Sequence, residues 1–123
     1  MDDKLKNGDL AAALADLQNQ VKGNPADPKL RVYLFQLLCV LGQWDRALTQ
    51  LNVCGEMDDA TLSMVQTYQE AIQAEAFRAD VFAGKRNPLL MGKPEEWIAL
   101  LVEANRLLAT GEIDAAVKLR GQA

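Results

Sequence analysis

Leu10, Leu14, Leu17 and Val21 follow one another at intervals of four, three and four residues, a spacing that stacks side chains on one face of an α-helix. Asp9 precedes them as an N-cap, so the pattern predicts a helix to about Lys22. Gly23, Pro25 and Pro28 then end it. A second helix is predicted from about Asp27 to Leu41, apolar from Val32 onward except at Gln36 and closed by Gly42. A third runs from roughly Trp44 to Val53 and stops near Gly55. Asp58 or Asp59 caps a long fourth helix reaching about Phe82, with Leu62, Val65, Tyr68, Ile72 and Ala76 along one face. The segment GKRNPLLMGK, residues 84–93, contains two glycines and a proline and is predicted to be a loop. Pro94 suits the first turn of a fifth helix, whose positive end Glu95 and Glu96 complement. That helix continues to about Ala109 with Trp97, Leu101, Ala104 and Leu108 in line, and beyond Gly111 a last one covers Asp114 to about Arg120. No stretch alternates polar and apolar residues for long enough to make a strand, so the prediction is all-α.

Two of these segments echo each other. GDLAAALADL (Gly8–Leu17) and GQWDRALTQL (Gly42–Leu51) share Gly, Ala, Leu and Leu at the same four places, 34 residues apart. GEIDAAVKLR, from Gly111, is a third copy with Ile113, Ala116 and Val117 in the matching positions. A 34-residue period of helix–turn–helix units is the signature of tetratricopeptide repeats. The glycine marks the tight turn, the bulky residue after it plugs the helix pair, and the alanine lets the helices approach. The copy due near Ala76 is missing, overwritten by the long fourth helix and the loop, so the expected array has one irregular unit. Residues 1–83 are expected to form the repeats and 84–93 the loop. Residues 94–123 form a further helix pair that either continues the array or begins a truncated second part. In such a stack an interior helix is apolar nearly all round, so Leu34, Phe35, Leu37 and Leu38 are expected in the core. Trp44 and Trp97 are expected there too, as core plugs.

Composition then removes whole classes of function. The chain of 123 residues carries a net charge of −4, which argues against nucleic acid as a partner. It has no histidine, and with that goes the commonest general base and metal ligand. Cys39 and Cys54 lie in apolar helical contexts without CxxC spacing and read as buried thiols of a reducing compartment. The N-terminus is polar and acidic, unlike a secretory signal. The longest apolar run falls short of the roughly 20 residues that span a bilayer, so a cytoplasmic protein that does not enter membranes is expected. GKRNPLLMGKP fails as a phosphate loop, because Pro94 stands where a hydroxyl should bind magnesium. The carboxylate pairs Asp2–Asp3, Asp58–Asp59 and Glu95–Glu96 sit at helix starts, where negative charge is stabilising. No catalytic constellation, metal set or cofactor site is legible, and a non-enzymatic protein is expected.

What remains is a surface for another chain. The first helix of each stacked unit faces the concave side, which offers Lys29, Arg31, Val32 and Gln36 on the second predicted helix as peptide-binding residues. On the fourth, Gln66, Gln69, Glu70 and Gln73 form a polar strip suited to an amphipathic helix or an extended peptide. Lys85, Arg86 and Lys93 make the loop locally basic, either as a solvated loop or as a docking patch for an acidic partner.

RVYLFQLLCVLGQWDRALTQL, Arg31 to Leu51, resembles the ImpE/TagJ family of type VI secretion accessory proteins. GDLAAALADLQNQV is similar to that family's opening, and TYQEAIQAEAFRADVFAGKRNPLLMGKPEEWIALLVEA to its next blocks. Members of the family are longer, and by this resemblance the chain is expected to be the N-terminal part of one. The resemblance implies an accessory protein that binds the N-terminal helix of the small sheath subunit and is linked to ClpV, the ATPase that recycles contracted sheath. It carries over no catalytic residue. Three other readings stay open: an adaptor gripping a C-terminal carboxylate through converging Lys, Arg or Asn residues; a homo-oligomeric structural piece; and, least supported, an enzyme. Oligomeric state is not legible.

Overall fold

The computed structural model describes residues 2–123, the side chain of Asp2 excepted. Seven α-helices lie along them: α1 (Asp2–Lys6), α2 (Leu10–Gly23), α3 (Pro28–Val40), α4 (Trp44–Met57), α5 (Leu62–Phe82), α6 (Glu96–Ala109) and α7 (Ile113–Gln122). A single 3₁₀ turn, Asp59–Thr61, leads into α5, and no strand occurs among the described residues. The chain divides into two compact units, Met1–Gln73 and Ala74–Ala123. Their border falls inside α5, short of residue 83.

The repeat seen in the sequence is a repeat of turn geometry. Gly8, Gly42 and Gly111 have φ of 76°, 72° and 86°, the left-handed region in which a Cβ is strained. At each, the residue after the glycine donates its N–H back over a full turn: Asp9 to the Lys4 carbonyl, Gln43 to Leu38 and Glu112 to Leu107, all at 2.9 Å. The glycine N–H bonds inside that ring, to Leu5, Cys39 and Leu108 respectively. This double bond is the Schellman closure of a helix. The next helix starts two residues beyond each glycine, and Ala13, Ala47 and Ala116 in its first turns have no exposed surface. A methyl group there fits where a larger side chain would hold the hairpin open. Gly84 is a fourth such turn, absent from the sequence pattern. Its φ is 77°, and Lys85 donates to the Asp80 carbonyl at 2.9 Å. No helix follows it directly: the chain runs through a loop to Glu95.

In the N-terminal unit α2 supplies Ala13, Leu17 and Val21 to the core, α4 supplies Ala47, Leu51 and Cys54, and α5 supplies Val65 and Ile72. The expected residues Leu34, Phe35, Leu37 and Leu38 of α3 complete it, and Trp44 packs against it half-buried. No polar or charged side chain is buried among the described residues. Asp9 caps α2 through the Ala12 N–H (3.1 Å), and Asp27 caps α3 through that of Lys29 (2.9 Å), with Pro28 at the first helical position. Asp58 accepts from Ala60 at 3.0 Å and opens the 3₁₀ turn. A short α1, too brief for periodicity to reveal, is tied to α2 by Lys4 Nζ and Asp16 Oδ2 at 2.6 Å. Hydrogen bonding from Lys4 holds the Asp16 carboxyl below its usual range. Of the Asp2–Asp3 pair, the Asp2 side chain lies outside the described residues. In the C-terminal unit α6 and α7 form a hairpin in which Ala104 and Ala116 are the buried residues.

Three local expectations are corrected. Gly55 does not stop α4, which continues to Met57. It lacks the positive φ of the turn glycines, and its missing Cβ instead admits α5, since a methyl there would stand 3.3 Å from Val65 Cγ2. Pro94 is not in the first turn of α6, which begins at Glu96 after an extended Glu95 (φ −74°, ψ 158°). Trp97 is not a core plug. It is 48% exposed, and its indole N–H donates to Glu95 Oε2 at 2.9 Å. The hairpin contact runs through Ala104, which leaves Leu101 and Leu108 of the same apolar line partly exposed as well.

These turns make a contrast testable by urea unfolding. Gly42→Ala is expected to cost about 1–2 kcal/mol, the strain of a Cβ at positive φ. Gly23→Ala, at a helical residue with open space around it, is expected to be neutral or to stabilise by up to about 1 kcal/mol. Equal effects at the two positions would remove the turn from this account.

Candidate interaction surfaces

Each unit carries a surface that packing leaves open. On α3 of the N-terminal unit, Lys29, Tyr33, Gln36 and Val40 are exposed, and their spacing of four, three and four puts them on one stripe. Tyr33 is half exposed and Val40 is 69% exposed, so the stripe mixes apolar and polar groups. At about 100° per residue, the half-buried Val32 and Cys39 lie between this stripe and buried Phe35. Tyr68 of α5 rests on the Phe35 ring, with centroids 5.8 Å apart and planes tilted by 56°. The face therefore runs from Val40 round α3 to a half-exposed tyrosine on the neighbouring helix.

Of the residues expected to bind a peptide, Lys29, Val32 and Gln36 belong to this face. Arg31 is turned away from it. Its guanidinium donates to Gln50 Oε1 of α4 at 3.0 Å and to the Pro25 carbonyl at 3.3 and 3.4 Å, tying the turn before α3 to α4. Gln69 is also engaged: its Nε2 donates to Asn52 Oδ1 of α4 at 3.2 Å. Gln66, Glu70 and Gln73 are exposed beside it, on the α4 side of α5, whereas Tyr68 lies on the α3 side. The two groups of expected residues are thus not brought together. Tyr33, Val40 and Tyr68 complete the α3 face and escaped notice in the sequence, because aromatic and β-branched residues in an apolar run read as core. The i, i+4, i+7 spacing of Lys29, Tyr33 and Gln36 was the available signal.

The C-terminal unit holds an open groove of about 520 Å³ between the last turns of α5, the loop and α6. Phe77, Val81 and Phe82 form one wall, Leu101 and Val102 the other, and Pro88 and Leu89 of the loop close one side. Asn105 Nδ2 donates to the Val81 carbonyl at 3.3 Å and so fixes α6 against α5. The Gly84 turn comes so close to α6 that an added Cβ would meet Ala109 Cβ at 3.1 Å. Arg78, Arg86 and Arg106 also line the groove. Of the loop cations Lys85, Arg86 and Lys93, only Arg86 reaches it; the two lysines are exposed elsewhere on the loop. No cluster among the described residues has the composition to hold a metal ion, and none of the described helices is long and apolar enough to cross a membrane.

Stacked helix hairpins closed by glycine turns, with open faces beside an apolar core, define a class. Residues 4–72 match the family model described as tetratricopeptide repeat, and the chain belongs to the tetratricopeptide repeat family. Among individual proteins it is 52% identical over 119 residues to the type VI secretion system accessory component TagJ of Pseudomonas aeruginosa, covering 97% of this chain and 42% of that protein. The crystal structure of protein VPA1032 from Vibrio parahaemolyticus matches with a TM-score of 0.88 at 27% identity, over 98% of this chain and 46% of that one. The chain therefore spans less than half the length of the relatives it matches.

Two outcomes follow from the N-terminal unit. Arg31→Met is expected to lower stability by about 1–2 kcal/mol in urea, while Lys29→Met, at an exposed side chain, leaves it nearly unchanged; equal costs would place the Arg31 bonds outside the folded state. Burial pushes the thiols of Cys39 and Cys54 up from their ordinary value, so both are protonated at neutral pH and poor nucleophiles. A disulfide reagent is expected to modify Cys39 slowly and fully buried Cys54 only on unfolding. Rapid modification of Cys54 in the folded chain would mean that α4 opens readily.

Proposed function

We propose that the chain is the interaction module of a non-enzymatic type VI secretion accessory protein, acting in the cytoplasm. On this reading it captures the N-terminal helix of the small sheath subunit and links it to ClpV. The class of function is supported by the identity to TagJ, which is named as a type VI secretion system accessory component, and by a repeat family whose curved stacks present surfaces to other chains. The observation that carries the reading is the α3 face, where exposed Tyr33 and Val40 stand in line with Lys29 and Gln36 beside Tyr68. An amphipathic helix laid along it would bury the two aromatic rings and Val40, with Lys29 and Gln36 bonding at the rim. The rival of a carboxylate-gripping adaptor loses a candidate cation, because Arg31 is committed to Gln50 and Pro25.

The test is a titration against a labelled peptide carrying the N-terminal helix of the small sheath subunit. Saturable one-to-one binding is expected, weakened at least about tenfold by Tyr33→Glu with Val40→Glu, the loss typical of buried anchors. Gln66→Arg with Glu70→Arg separates the two faces of the unit: a greater loss there moves the site to the α4 side of α5. Absence of binding by the folded chain would assign sheath recognition to a part of the longer relatives beyond this match.

A further inference from the structure

The C-terminal unit repeats the turn of the N-terminal one without repeating its core. Gly111 has the positive φ of Gly8 and Gly42, and Ala116, like Ala13 and Ala47, has no exposed surface. The residues around that alanine differ. Nine positions after the glycine, Leu17 and Leu51 are sealed in the core, whereas Arg120 stands exposed at the same place. Leu14 and Leu48 pack against the core, but their counterpart Val117 is 59% exposed. Ile113, the counterpart of Leu10 and Trp44, is 58% exposed. On α6 the pattern continues: Trp97, Leu101 and Leu108 are exposed, and among the described residues Ala104 is its one buried side chain.

Burial of apolar surface is the main term offsetting the conformational entropy of ordering a helix. Two sealed alanines supply far less of it than the leucines and Phe35 of the N-terminal core. Local terms do not compensate. α6 and α7 have 14 and 10 residues, lengths at which a helix is marginal by itself. Neither has the side-chain N-cap bond that Asp9 and Asp27 give α2 and α3. The Arg106–Glu103 pair lies on the surface of α6, where such pairs contribute little. The two helices pack chiefly on each other. What ties α6 to α5 is one hydrogen bond, from Asn105 to the Val81 carbonyl, and the close approach of the Gly84 turn to Ala109.

We propose that α6 and α7 open and close together as one hairpin while the N-terminal unit stays folded, a local unfolding built into the chain. The third copy kept the glycine and the alanine, which close the hairpin, and lost the leucine that would lock it. The groove between α5 and α6 is thereby gated, since its α6 wall is in place only while the hairpin is closed. The α3 face lies wholly in the N-terminal unit and persists in the open state.

Hydrogen exchange of the full chain, read by mass spectrometry and corrected for intrinsic rates, tests this. Amides in the middle of α6 and α7 are expected to exchange together, with protection at least about tenfold below that of α3 and α4. Their exchange is expected to rise only shallowly with urea, because opening the hairpin exposes little surface, while that of α3 and α4 climbs steeply. Gly111→Ala places a Cβ at positive φ and is expected to speed exchange in α6 and α7 about tenfold. Gly42→Ala is expected to do the same for α3 and α4 and to leave α6 and α7 within about twofold. Circular dichroism establishes that each variant is folded. Where Gly42→Ala is not, the unsubstituted chain and its urea series decide. A smaller difference in protection between the units overturns the proposal, as does one steep urea dependence shared by both. Gly42→Ala moving both units alike would mean that the chain opens as one body, and Gly111→Ala leaving α6 and α7 unmoved would detach their opening from the turn; either result overturns it too.

Discussion

The contact between an alanine methyl group and the helix across from it sets the terms for the rest of this fold. Ala13, Ala47 and Ala116 are sealed from solvent within the first turns of their helices, each shortly after a glycine that only a left-handed backbone can satisfy. The glycine reverses the chain within two residues, and the alanine makes that reversal close enough for the next layer to pack. Larger side chains then interlock around this narrow waist: Leu17 and Leu51 from the second helices, Phe35 and Leu38 from α3. No polar side chain enters this packing among the described residues. Within the core, shape therefore specifies the register, which is why a small residue is needed at the same place each time. Bonds such as Arg31 to Gln50 and Gln69 to Asn52 act at its edge.

Much of this was legible before any coordinates. A recurring Gly-x-x-x-x-Ala carries both the turn and the contact, and apolar spacing carries the helices, since both are local properties of the chain. The fourth turn at Gly84 was hidden because Leu89 and Lys93 stand where the alanine and the second leucine should follow, and only Leu90 matches. A pattern search needs the whole motif, whereas the backbone needs only a glycine and two hydrogen bonds. Gly55 misled for the opposite reason. A glycine near a helix end can release the backbone or admit a neighbour, and only the position of Val65 decides between them.

The surfaces were harder to read. Periodicity reports which stripe of a helix is apolar, but it is silent on whether another element covers that stripe. Trp97 and Tyr33 are both large and apolar in character, and both face water. Polar residues posed the converse problem. Arg31 and Gln69 read as rim residues, yet their partners, Gln50 and Asn52, lie 19 and 17 positions away in the chain. Local sequence contains no trace of such pairings. Two arginines of the C-terminal groove escaped for the same reason, since Arg78 and Arg106 join Arg86 only once α5 and α6 are side by side.

The Gly84 turn has a consequence for how such a chain can change over time. It terminates α5 with hydrogen bonds from its own backbone and rests directly on α6. The residues from Arg86 to Glu95 are therefore relieved of any duty in ending one helix, and the next begins only at Glu96. Outside Arg86 to Leu89, which line the groove, and Glu95, which accepts from Trp97, their length and composition are free to drift while the helices on either side keep their places. A repeat array that closes a turn and then postpones its next helix has, in effect, opened a site for insertion where new sequence is tolerated at little structural risk. Variation in what this part of the molecule recognises would be expected to collect there first, ahead of any change in the helices that frame it.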